Sequence, residues 1–583
     1  MKLEDPTLKK AVTANRPTIM GTKHVIAAGH YLAAHAGFEM LEAGGNAVDA
    51  GVAAGIAAGV VQTDKVNFGG VAPQIIYLAK KRELHCIDGL GVWPKAITPD
   101  YFLKHHGGKI PAGVLRSVVP AAPDAWITAL ERFGTMTFAE VAAAAIRFAR
   151  EGFPMYPLMS QFISDNQASY KRWPSNQKVF LPKGRAPQPG EVFVQAELGR
   201  TLQYLADVEN ANRRKGRRAA LRAARDAFYK GDIAAAIVKF HKRSGGLMRM
   251  EDFADFSVKF EPTVKARFND IELHACGPWS QGPVLPMALN ILKGYNLAAM
   301  RHNSPEYIHI VVEALKLAFA DRHQHFGDPA FVKVPMKGLL SDAYAVHRRG
   351  MIRADRAYAE MPPAGDPATF ADLPQRWMPE PQSDATPGPG DTTYVCCVDR
   401  DGNAFSATPS DGSNNSTIIP EVGILCSGRG TQSWSDPSHP SSVAPGKRPR
   451  LTPSPALAFK QGKVLMPFGT PGGDVQPQAM LQVFLNVNVF GMDAQSAIEA
   501  PRFASYSYPG SFEPHEYFPG RLYLEGRIPA ATGDVLKRLG HKVNWWDEWT
   551  WLAGAPCTIV VDHKTGVRHG GADPRRPAYA LGW

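Results

Sequence analysis

The sequence predicts a large, soluble α+β protein, and three observations support this prediction. The chain has 583 residues, of which 44% are hydrophobic and 20% charged, as is typical of a globular protein with an extensive core. Helical patterns prevail up to about residue 325, whereas short runs of β-branched and aromatic residues prevail after Thr392. Between these parts, residues 354–390 are rich in proline and show no apolar periodicity, which favours a functional loop or a linker.

The first part of the chain predicts strands and helices in alternation. Gly44 and Gly45 stop the first helix, and Asn46 is a good N-cap for the second helix. That second helix carries small apolar residues on every face, so we expect it to be enclosed. Strands are expected at 25–28, 74–78 and 83–88, and helices at 30–42, 47–61, 138–151, 234–241 and from Ser304-Pro305 to about Arg322.

The second part of the chain is interpreted as a series of short strands. A glycine-rich turn at 469–474 precedes a helix predicted at 476–490. Two glycines before a helix start present free backbone N–H groups, the usual donors of an oxyanion hole, although a simple tight turn explains them equally well. The predicted strands are 394–398, 404–407, 423–426, 457–459, 464–468 and 558–562.

The formal net charge of +11 raises the question of an anionic partner. Much of the excess lies in one run at 213–225, which carries six arginines and a lysine. Nucleic-acid binding is one interpretation of such a run. The alanines within the run favour a solvated helix face instead, since no aromatic residues are interleaved to stack on bases. We therefore expect no nucleic-acid partner.

Six cysteines are present, and none forms a CxxC pair. This spacing predicts small buried side chains in a reducing compartment, neither a disulfide framework nor a zinc site. No metal cluster, nucleotide loop or cofactor motif is recognised, so we expect no cofactor and no metal. The N-terminus shows no apolar signal region, and 47–61 is too short and Gly-rich for a membrane span. The sequence thus predicts a cytoplasmic protein without a membrane partner.

The stretch around Asp391 and Thr392 carries the chemistry that the sequence predicts. Thr392 stands between the proline-rich segment and a predicted strand. If the Asp391–Thr392 bond were cut, Thr392 would hold both a hydroxyl and a free α-amine with a pKa of about 7.7–8.0, so one residue would supply nucleophile and base. The alternative from this stretch alone is an ordinary β-hairpin with two surface threonines.

Several motifs in a fixed order resemble the γ-glutamyltransferase (glutathione hydrolase) family from about residue 25 to 583. The N-terminal signature at 41–50 (LEAGGNAVDA) is nearly complete. The other matching segments are 228–234 (FYKGDIA), 245–247 (GGL), 320–322 (ADR), 327–332 (GDPAFV), 391–393 (DTT), 398–399 (VD), 401–403 (DGN), 447–449 (KRP), 454–455 (SP), 471–473 (PGG), 500–502 (APR) and 573–575 (DPR).

The resemblance implies a four-layer αββα sandwich, the fold of N-terminal-nucleophile hydrolases. Self-cleavage at Asp391–Thr392 would leave a large subunit, 1–391, whose end is the proline-rich arm 354–390, and a small subunit, 392–583. The two would form a heterodimer, with a dimer of heterodimers as a further possibility. Thr392 would be the nucleophile, Gly472 and Gly473 would hold the oxyanion, and Thr408 and Ser410 would orient Thr392. The substrate would be a small amide, and the acyl group would pass through an ester on Thr392 to water or to an amine.

Departures from the family pattern affect the substrate more than the chemistry. No arginine follows Ile87-Asp88, where family members place the cation for the α-carboxylate of a glutamyl group. The two family serines after Lys-Arg-Pro are Leu451 and Thr452 here, and the segment that holds the α-amine is replaced by 426–432 (CSGRGTQ). The substrate-binding candidates are therefore Asp411, Arg429, Arg450 and Thr452. An equally good alternative is that both arginines face solvent.

Three functions therefore remain open on the sequence. The first is cleavage of a γ-glutamyl or related small carboxylate amide. The second is an amidase without the glutamyl clamp, like the family's oxamate amidohydrolases and cephalosporin-acylase-like members. The third is a scaffold that has the fold but no processing; it would be favoured by loss of Thr392 or of both glycines, and neither is lost.

Overall fold

A computed structural model describes residues 14–382 and 391–583. Within these residues the strands are β1 (Ile19–Gly21), β2 (Val25–Ala28), β3 (Gln74–Leu78), β4 (Glu83–Ile87), β5 (Phe153–Pro154), β6 (Val192–Phe193), β7 (Phe260–Glu261), β8 (Val264–Phe268), β9 (Ile271–Ala275), β10 (Val395–Val398), β11 (Ala404–Ala407), β12 (Ala456–Lys460), β13 (Lys463–Gly469), β14 (Phe503–Ser505), β15 (Arg521–Glu525), β16 (Lys542–Trp546), β17 (Cys557–Val561), β18 (Arg568–Ala572) and β19 (Tyr579–Gly582).

The α-helices of the same residues are α1 (Tyr31–Glu42), α2 (Ala47–Val61), α3 (Tyr101–His106), α4 (Ala122–Phe133), α5 (Phe138–Glu151), α6 (Pro157–Asp165), α7 (Gln167–Tyr170), α8 (Pro174–Phe180), α9 (Ala196–Asn212), α10 (Arg217–Tyr229), α11 (Asp232–Arg243), α12 (Met250–Ala254), α13 (Val284–Leu292), α14 (Pro305–His325), α15 (Met336–Leu339), α16 (Asp342–Gly350), α17 (Gln476–Asn488), α18 (Ala494–Glu499) and α19 (Ala530–Arg538).

Two seven-stranded sheets form the centre of the molecule. The strand order is β1-β18-β17-β13-β12-β9-β8 in one sheet and β19-β2-β10-β11-β3-β4-β7 in the other. Apolar side chains of both sheets, such as Ile75 and Ile559, fill the space between them. Adjacent cysteines on β10 point to opposite faces, as the sequence predicts: Cys396 lies between the sheets and Cys397 faces the helices. All six cysteines are buried and unpaired.

Helices cover the outer face of each sheet, which gives the expected αββα order of layers. Helices α1, α2, α4, α5, α9 and α10 contribute to the core on the β10 sheet, while α13, α14 and α17 contribute to the core on the β12 sheet. Every residue of α2 is buried, as its small residues predict. A Cβ on Gly51 would lie 2.1 Å from the Phe405 ring on β11, so glycine allows α2 to approach the sheet closely.

Most predicted elements are confirmed, with one wrong strand. Asn46 caps α2, Thr137 caps α5 and Ser304 caps α14, each through its side chain. The segment 423–426 is not a strand; it is a turn followed by an irregular segment, with an isolated bridge between Ile419 and Ile424. Such a short apolar run cannot be distinguished from a buried loop by its residue pattern.

The proline-rich arm packs on the protein over its described part, 354–382. Its Met361 and Ala364 join the core beside α14, and Gly365 N–H donates to Asp321 at 2.9 Å. A free linker is therefore the wrong interpretation for this part. The rest of the predicted arm, 383–390, lies outside the described residues.

Most of the basic run is solvated, as predicted, but Arg217 and Arg225 are not exposed. Arg217 donates to the carbonyl oxygens of Leu130, Gly134 and Met136, which extends the hydrogen bonding of α4. Arg225 is buried and donates through Nη2 to Asp124 at 3.0 Å, and Arg222 contacts Glu131. The arginines of α10 thus hold it against α4. No helix of the described residues is long and apolar enough to cross a membrane.

Replacing Asp49 by alanine is expected to destabilise the fold by about 3 kcal/mol, because buried backbone N–H groups would lose their acceptor. The Asp49 carboxylate accepts from the N–H groups of Asn46, Thr135 and Met136 at 2.9–3.0 Å and is buried. Thermal unfolding followed by circular dichroism measures the effect. Asp534→Ala, on the exposed face of α19, is the matched control and should leave the midpoint unchanged; equal midpoints for both variants would contradict the role of Asp49.

Candidate active site around Thr392

Thr392 lies just before β10, a central strand of its sheet, and is fully buried. Its N–H donates to the Lys65 carbonyl oxygen at 3.1 Å, and its own carbonyl oxygen accepts from Arg576 Nη1 at 2.8 Å. β10 pairs with β2 on one side and β11 on the other. The backbone of Thr392 is therefore fixed on both sides of the residue.

The backbone conformation of Thr392 is strained. Its φ is 103°, in a region that β-branched residues strongly disfavour. Residues held in such a conformation store about 1–3 kcal/mol. Because φ is defined by the carbonyl carbon of Asp391, breaking the Asp391–Thr392 bond would remove this constraint. The strain therefore favours cleavage at this bond.

The Thr392 hydroxyl is hydrogen-bonded to a second hydroxyl and faces a carboxylate. Thr392 Oγ1 lies 2.5 Å from Ser410 Oγ and 3.3 Å from Asp391 Oδ1, and Ser410 Oγ lies 3.4 Å from the same carboxylate oxygen. Ser410 is itself fixed, because its N–H donates to the Val71 carbonyl oxygen at 3.0 Å. Ser410 can thus orient the Thr392 hydroxyl and relay its proton.

Thr408, the other predicted orienting residue, occupies a different position. Its N–H donates to the Pro73 carbonyl oxygen at 3.1 Å, and its hydroxyl is buried without a hydrogen-bond partner among the described residues. Thr393 likewise has a buried hydroxyl without such a partner. The direct contact to Thr392 therefore comes from Ser410.

The Asp391 carboxylate is held by a cradle of donors. Arg429 Nη2 donates to both Asp391 oxygens at 2.7 Å, and the Gly412 N–H donates to Oδ2 at 2.7 Å. Arg429 Nη2 also contacts Ser410 Oγ. Burial opposes ionisation of Asp391, but the Arg429 guanidinium outweighs it and holds the pKa of the carboxyl below its usual value.

Arg429 is buried at 1% exposure between two carboxylates. Besides Asp391, it faces Asp411, whose Oδ1 lies 3.4 Å from Arg429 Nε. Asp411 accepts from Ser427 Oγ at 2.7 Å and from the Gly428 N–H at 3.0 Å, and its burial raises its pKa. The two acids raise the pKa of Arg429 against the effect of burial. The interpretation that Arg429 faces solvent is wrong.

A cavity of about 260 Å³ opens beside Asp391 and Arg429. Its wall also contains Arg116, which donates to the carbonyl oxygens of Ile110 and Pro111, and Phe512, whose ring lies 5.3 Å from the Arg429 guanidinium. The lining residues are Lys65, Arg116, Phe162, Asn166, Asp391, Asp411, Gly412, Asn414, Asn415, Ser416, Gly428, Arg429, Thr431, Phe512 and Glu513.

Gly472 and Gly473 line a second cavity, of about 270 Å³, which shares Phe512 and Glu513 with the first. Their φ angles are 127° and 57°, which favour glycine at both positions. They follow β13 and precede α17, as the sequence predicts. Their role as oxyanion donors stays a prediction. Their position beside the Asp391 cavity supports it.

Thr452 connects to the glycine turn through a glutamine. Gln281 Nε2 donates to the carbonyl oxygens of Thr452 at 3.0 Å and Gly473 at 2.8 Å, and Gln432 Nε2 donates to Thr452 Oγ1 at 2.7 Å. Thr452 is fully buried behind the turn. Its contacts support the shape of the turn.

Arg450 is also buried, so the interpretation that it faces solvent is wrong. Its Nη2 donates to Ser511 Oγ at 2.9 Å, a residue of the second cavity. Its Nε and Nη1 have no hydrogen-bond partner among the described residues. Burial lowers the pKa of Arg450.

Sequence reasoning missed several residues of this site. Lys65 supplies the carbonyl for Thr392 N–H and lines the Asp391 cavity, where burial lowers the pKa of its ammonium group. Its Nζ lies 3.0 Å from the centre of the Phe162 ring. Arg576 and Phe512 were missed as well. These four residues come from segments far from residue 392 in the chain, and no local sequence pattern marks them as site residues.

One group of potential metal ligands exists among the described residues: His309, Glu313 and His541, with ligand atoms within 4.8 Å of one another. His309 Nδ1 and His541 Nε2 form a hydrogen bond of 2.9 Å, and Lys316 Nζ lies 2.7 Å from Glu313. A cation there would compete with the Lys316 ammonium group. The arrangement is better described as a buried hydrogen-bond network.

Comparisons with known proteins agree on one family. The family model described as Gamma-glutamyltranspeptidase matches residues 33–583. The chain is 31% identical over 569 residues to a "Glutathione hydrolase-like YwrD proenzyme" of Bacillus subtilis, covering 97% of this chain and 99% of that protein.

Solved structures give the same result for the fold. The structure titled "LmbA2991HD" matches with a TM-score of 0.91 and 33% identity, over 98% of this chain and 100% of the other. The cephalosporin acylase from Bacillus halodurans matches with a TM-score of 0.85 and 29% identity, over 98% of this chain and 97% of its own. The αββα arrangement is thus the fold of these relatives.

Replacing Ser410 by alanine is expected to slow cleavage of the Asp391–Thr392 bond by about 100-fold, because Thr392 Oγ1 would lose its nearest proton acceptor. The fraction of cut chain is followed by denaturing gel electrophoresis after synthesis. Ser410→Thr keeps the hydroxyl and should retain most of the rate. Cleavage of Ser410→Ala at the wild-type rate would contradict a role for Ser410.

Proposed function

Because the chain belongs to the gamma-glutamyltranspeptidase family, we propose that it is an autoprocessing threonine amidohydrolase or acyltransferase. It would first cut its own chain between Asp391 and Thr392 and then cleave a small amide through an ester on Thr392. The observation that carries the proposal is the strained, buried Thr392, whose hydroxyl contacts Ser410 and Asp391.

The first reaction is an acyl shift within the chain. Thr392 Oγ1 attacks the carbonyl carbon of Asp391 and gives its proton, through Ser410, to the departing backbone nitrogen. The C–N bond breaks, an ester links Asp391 to Thr392, and the nitrogen becomes a free α-amine. Water then hydrolyses the ester, which releases Asp391 with a new main-chain α-carboxylate and regenerates the Thr392 hydroxyl.

The second reaction repeats this chemistry on an external amide. The α-amine of Thr392 takes the hydroxyl proton while Thr392 Oγ1 attacks the substrate carbonyl, and the same proton later passes to the leaving amine. The N–H groups of Gly472 and Gly473 are the proposed donors to the tetrahedral oxyanion, a role worth about 2.7–4 kcal/mol per donor elsewhere. Water or an amine acceptor ends the cycle. The Thr408 hydroxyl, which has no hydrogen-bond partner among the described residues, is the proposed orienting group for the free amine.

The two products are expected to stay together. The sheet with the order β19-β2-β10-β11-β3-β4-β7 contains strands of both pieces: β2 of 1–391 lies between β19 and β10 of 392–583, and β11 of 392–583 lies beside β3 of 1–391. β10 pairs with β2, and β11 pairs with β3, so backbone hydrogen bonds join the two pieces. The proposed mature enzyme is therefore a heterodimer derived from one chain.

The site favours an amide without a full glutamyl head group. Asp88, at the position followed by an arginine in glutamyl-binding members, is paired with Arg448 at 2.8 Å. Gly89, Leu90 and Gly91 follow it and supply no cation. At the predicted amine-binding segment the cation Arg429 stands against the cavity. Asp411 and Arg429 are the proposed substrate-binding residues, with Arg450 and Thr452 supporting the adjoining glycine turn.

Intact mass and a denaturing gel test the first reaction. The wild-type chain should give two fragments, 1–391 and 392–583, that elute together on size exclusion. Thr392→Ala should remain one uncut chain, because it lacks the nucleophile. Thr393→Ala, which removes the neighbouring buried hydroxyl, is the matched control and should be cut. A wild-type chain that stays uncut after long incubation would leave only the scaffold function.

γ-Glutamyl-p-nitroanilide tests the choice of substrate. We expect slow release of p-nitroaniline with a high KM, because the described site shows a buried cation, Arg429, in place of the family's amine-binding segment. Efficient release with a low KM would contradict this and support a glutathione hydrolase. The cut fraction of the enzyme is measured in parallel, so that a failure of processing is not mistaken for selectivity.

A further inference from the structure

We infer that the acyl site binds the monoamide of a four-carbon dicarboxylic acid, with Arg429 holding the free carboxylate of the substrate. The inference rests on the proposed function and names a substrate class for it. It starts from the one acyl group that the described structure already shows beside Thr392, namely Asp391.

Asp391 is the acyl donor of the bond that Thr392 would break first. From the carbonyl carbon that Thr392 Oγ1 attacks, the Asp391 chain runs through Cα and Cβ to a carboxylate carbon. This is the skeleton of a succinyl group, with the backbone nitrogen as an added substituent. Its carboxylate is in the cradle of Arg429 and Gly412, with donor distances of 2.7 Å. The nucleophile and the cradle are therefore spaced for a four-carbon acyl group.

The cradle would be left with unused donors once Asp391 withdraws. Withdrawal of Asp391 would free Arg429 Nη2, while Nε and Nη1 already have no hydrogen-bond partner among the described residues. Asp411 still faces Nε at 3.4 Å and has its own partners in Ser427 and Gly428. A buried guanidinium with free N–H donors binds a carboxylate strongly, because charge-assisted hydrogen bonds then satisfy those donors. A substrate carboxylate would accept the Arg429 hydrogen bonds that the Asp391 carboxylate accepts before cleavage.

The Asp391 side chain can be replaced from the cavity. It is 20% exposed, whereas Arg429 is 1% exposed, so the carboxylate lies at the boundary between the buried cation and the open space of about 260 Å³. The dicarboxylate monoamide would enter by this route and place its free carboxylate on Arg429, with its amide carbonyl towards Thr392.

The charge of the cavity wall argues against an α-amine on this acyl group. Without the Asp391 carboxylate, the wall holds the basic side chains Lys65, Arg116 and Arg429 and the acidic side chains Asp411 and Glu513. Asp411 already faces Arg429 Nε at 3.4 Å, and the basic side chains of the wall outnumber the acidic ones, so an added amine meets net positive charge. A succinyl group, which has no α-amine, avoids this cost, whereas an aspartyl or glutamyl group does not.

The test compares p-nitroanilides of oxalic, succinic, glutaric and butyric acids with γ-glutamyl-p-nitroanilide on the cut wild-type enzyme. The succinyl compound should have the highest kcat/KM. The butyryl compound, of equal chain length and neutral, should be at least about 30-fold worse, as expected for loss of a partner from a buried charge pair. Equal rates for succinyl and butyryl compounds, or a best rate with the γ-glutamyl compound, would overturn the inference.

Arg429→Gln should lower the ratio of kcat/KM for the succinyl compound to kcat/KM for the butyryl compound at least about 30-fold, whatever its effect on the butyryl rate itself. Arg243→Gln, an exposed arginine paired with Glu421, is the matched control. Because Arg429→Gln can also stop self-cleavage, inhibition of cut wild-type enzyme is measured alongside. Succinate should inhibit at least tenfold more strongly than butyrate, and equal inhibition would overturn the inference.

The outcomes separate this inference from the proposed function. A chain that is neither cut nor active on any of these amides contradicts the proposed function itself. A chain that is cut at Thr392 and hydrolyses amides without preferring a free carboxylate contradicts only the substrate class.

Discussion

The antiparallel pairing of β10 with β2 and β11 fixes the position on which the rest of the site depends. Thr392 comes three residues before β10, and its backbone groups are tied to Lys65 and Arg576. The ladder on both sides of β10 and the hydrogen bonds to Lys65 and Arg576 hold Thr392 at a φ of 103°. The fold thus holds a strained residue at the candidate cleavage bond.

Buried charge is the second constraint on this site. Arg429 is removed from water, and it remains charged because Asp391 and Asp411 face it. Self-cleavage would convert Asp391 from a fixed partner into a chain end, while Asp411 remains held by Ser427 and Gly428. On the proposed function, the same cation would serve the chain before cleavage and a substrate afterwards.

Local patterns in the sequence predicted most elements, and the family resemblance implied the order of layers. The caps at Asn46 and Ser304 and the enclosed helix α2 follow from residue type and spacing alone. The strand predicted at 423–426 was wrong, since a short apolar run is equally compatible with a buried loop. The role of Arg217, Arg222 and Arg225 in holding α10 to α4 was also invisible, because their partners are about 80–100 residues away.

The sequence by itself identified the family and predicted the nucleophile and the cleavage bond, because contiguous motifs such as Asp391-Thr392-Thr393 carry them. Only the tertiary structure decided that Ser410, and not Thr408, contacts the Thr392 hydroxyl. It also decided that Arg429 is buried against Asp391, whereas Arg450 lies at Ser511. Both arginines look alike in the chain; burial and the partner carboxylates are properties of packing between distant segments, and no local pattern encodes them.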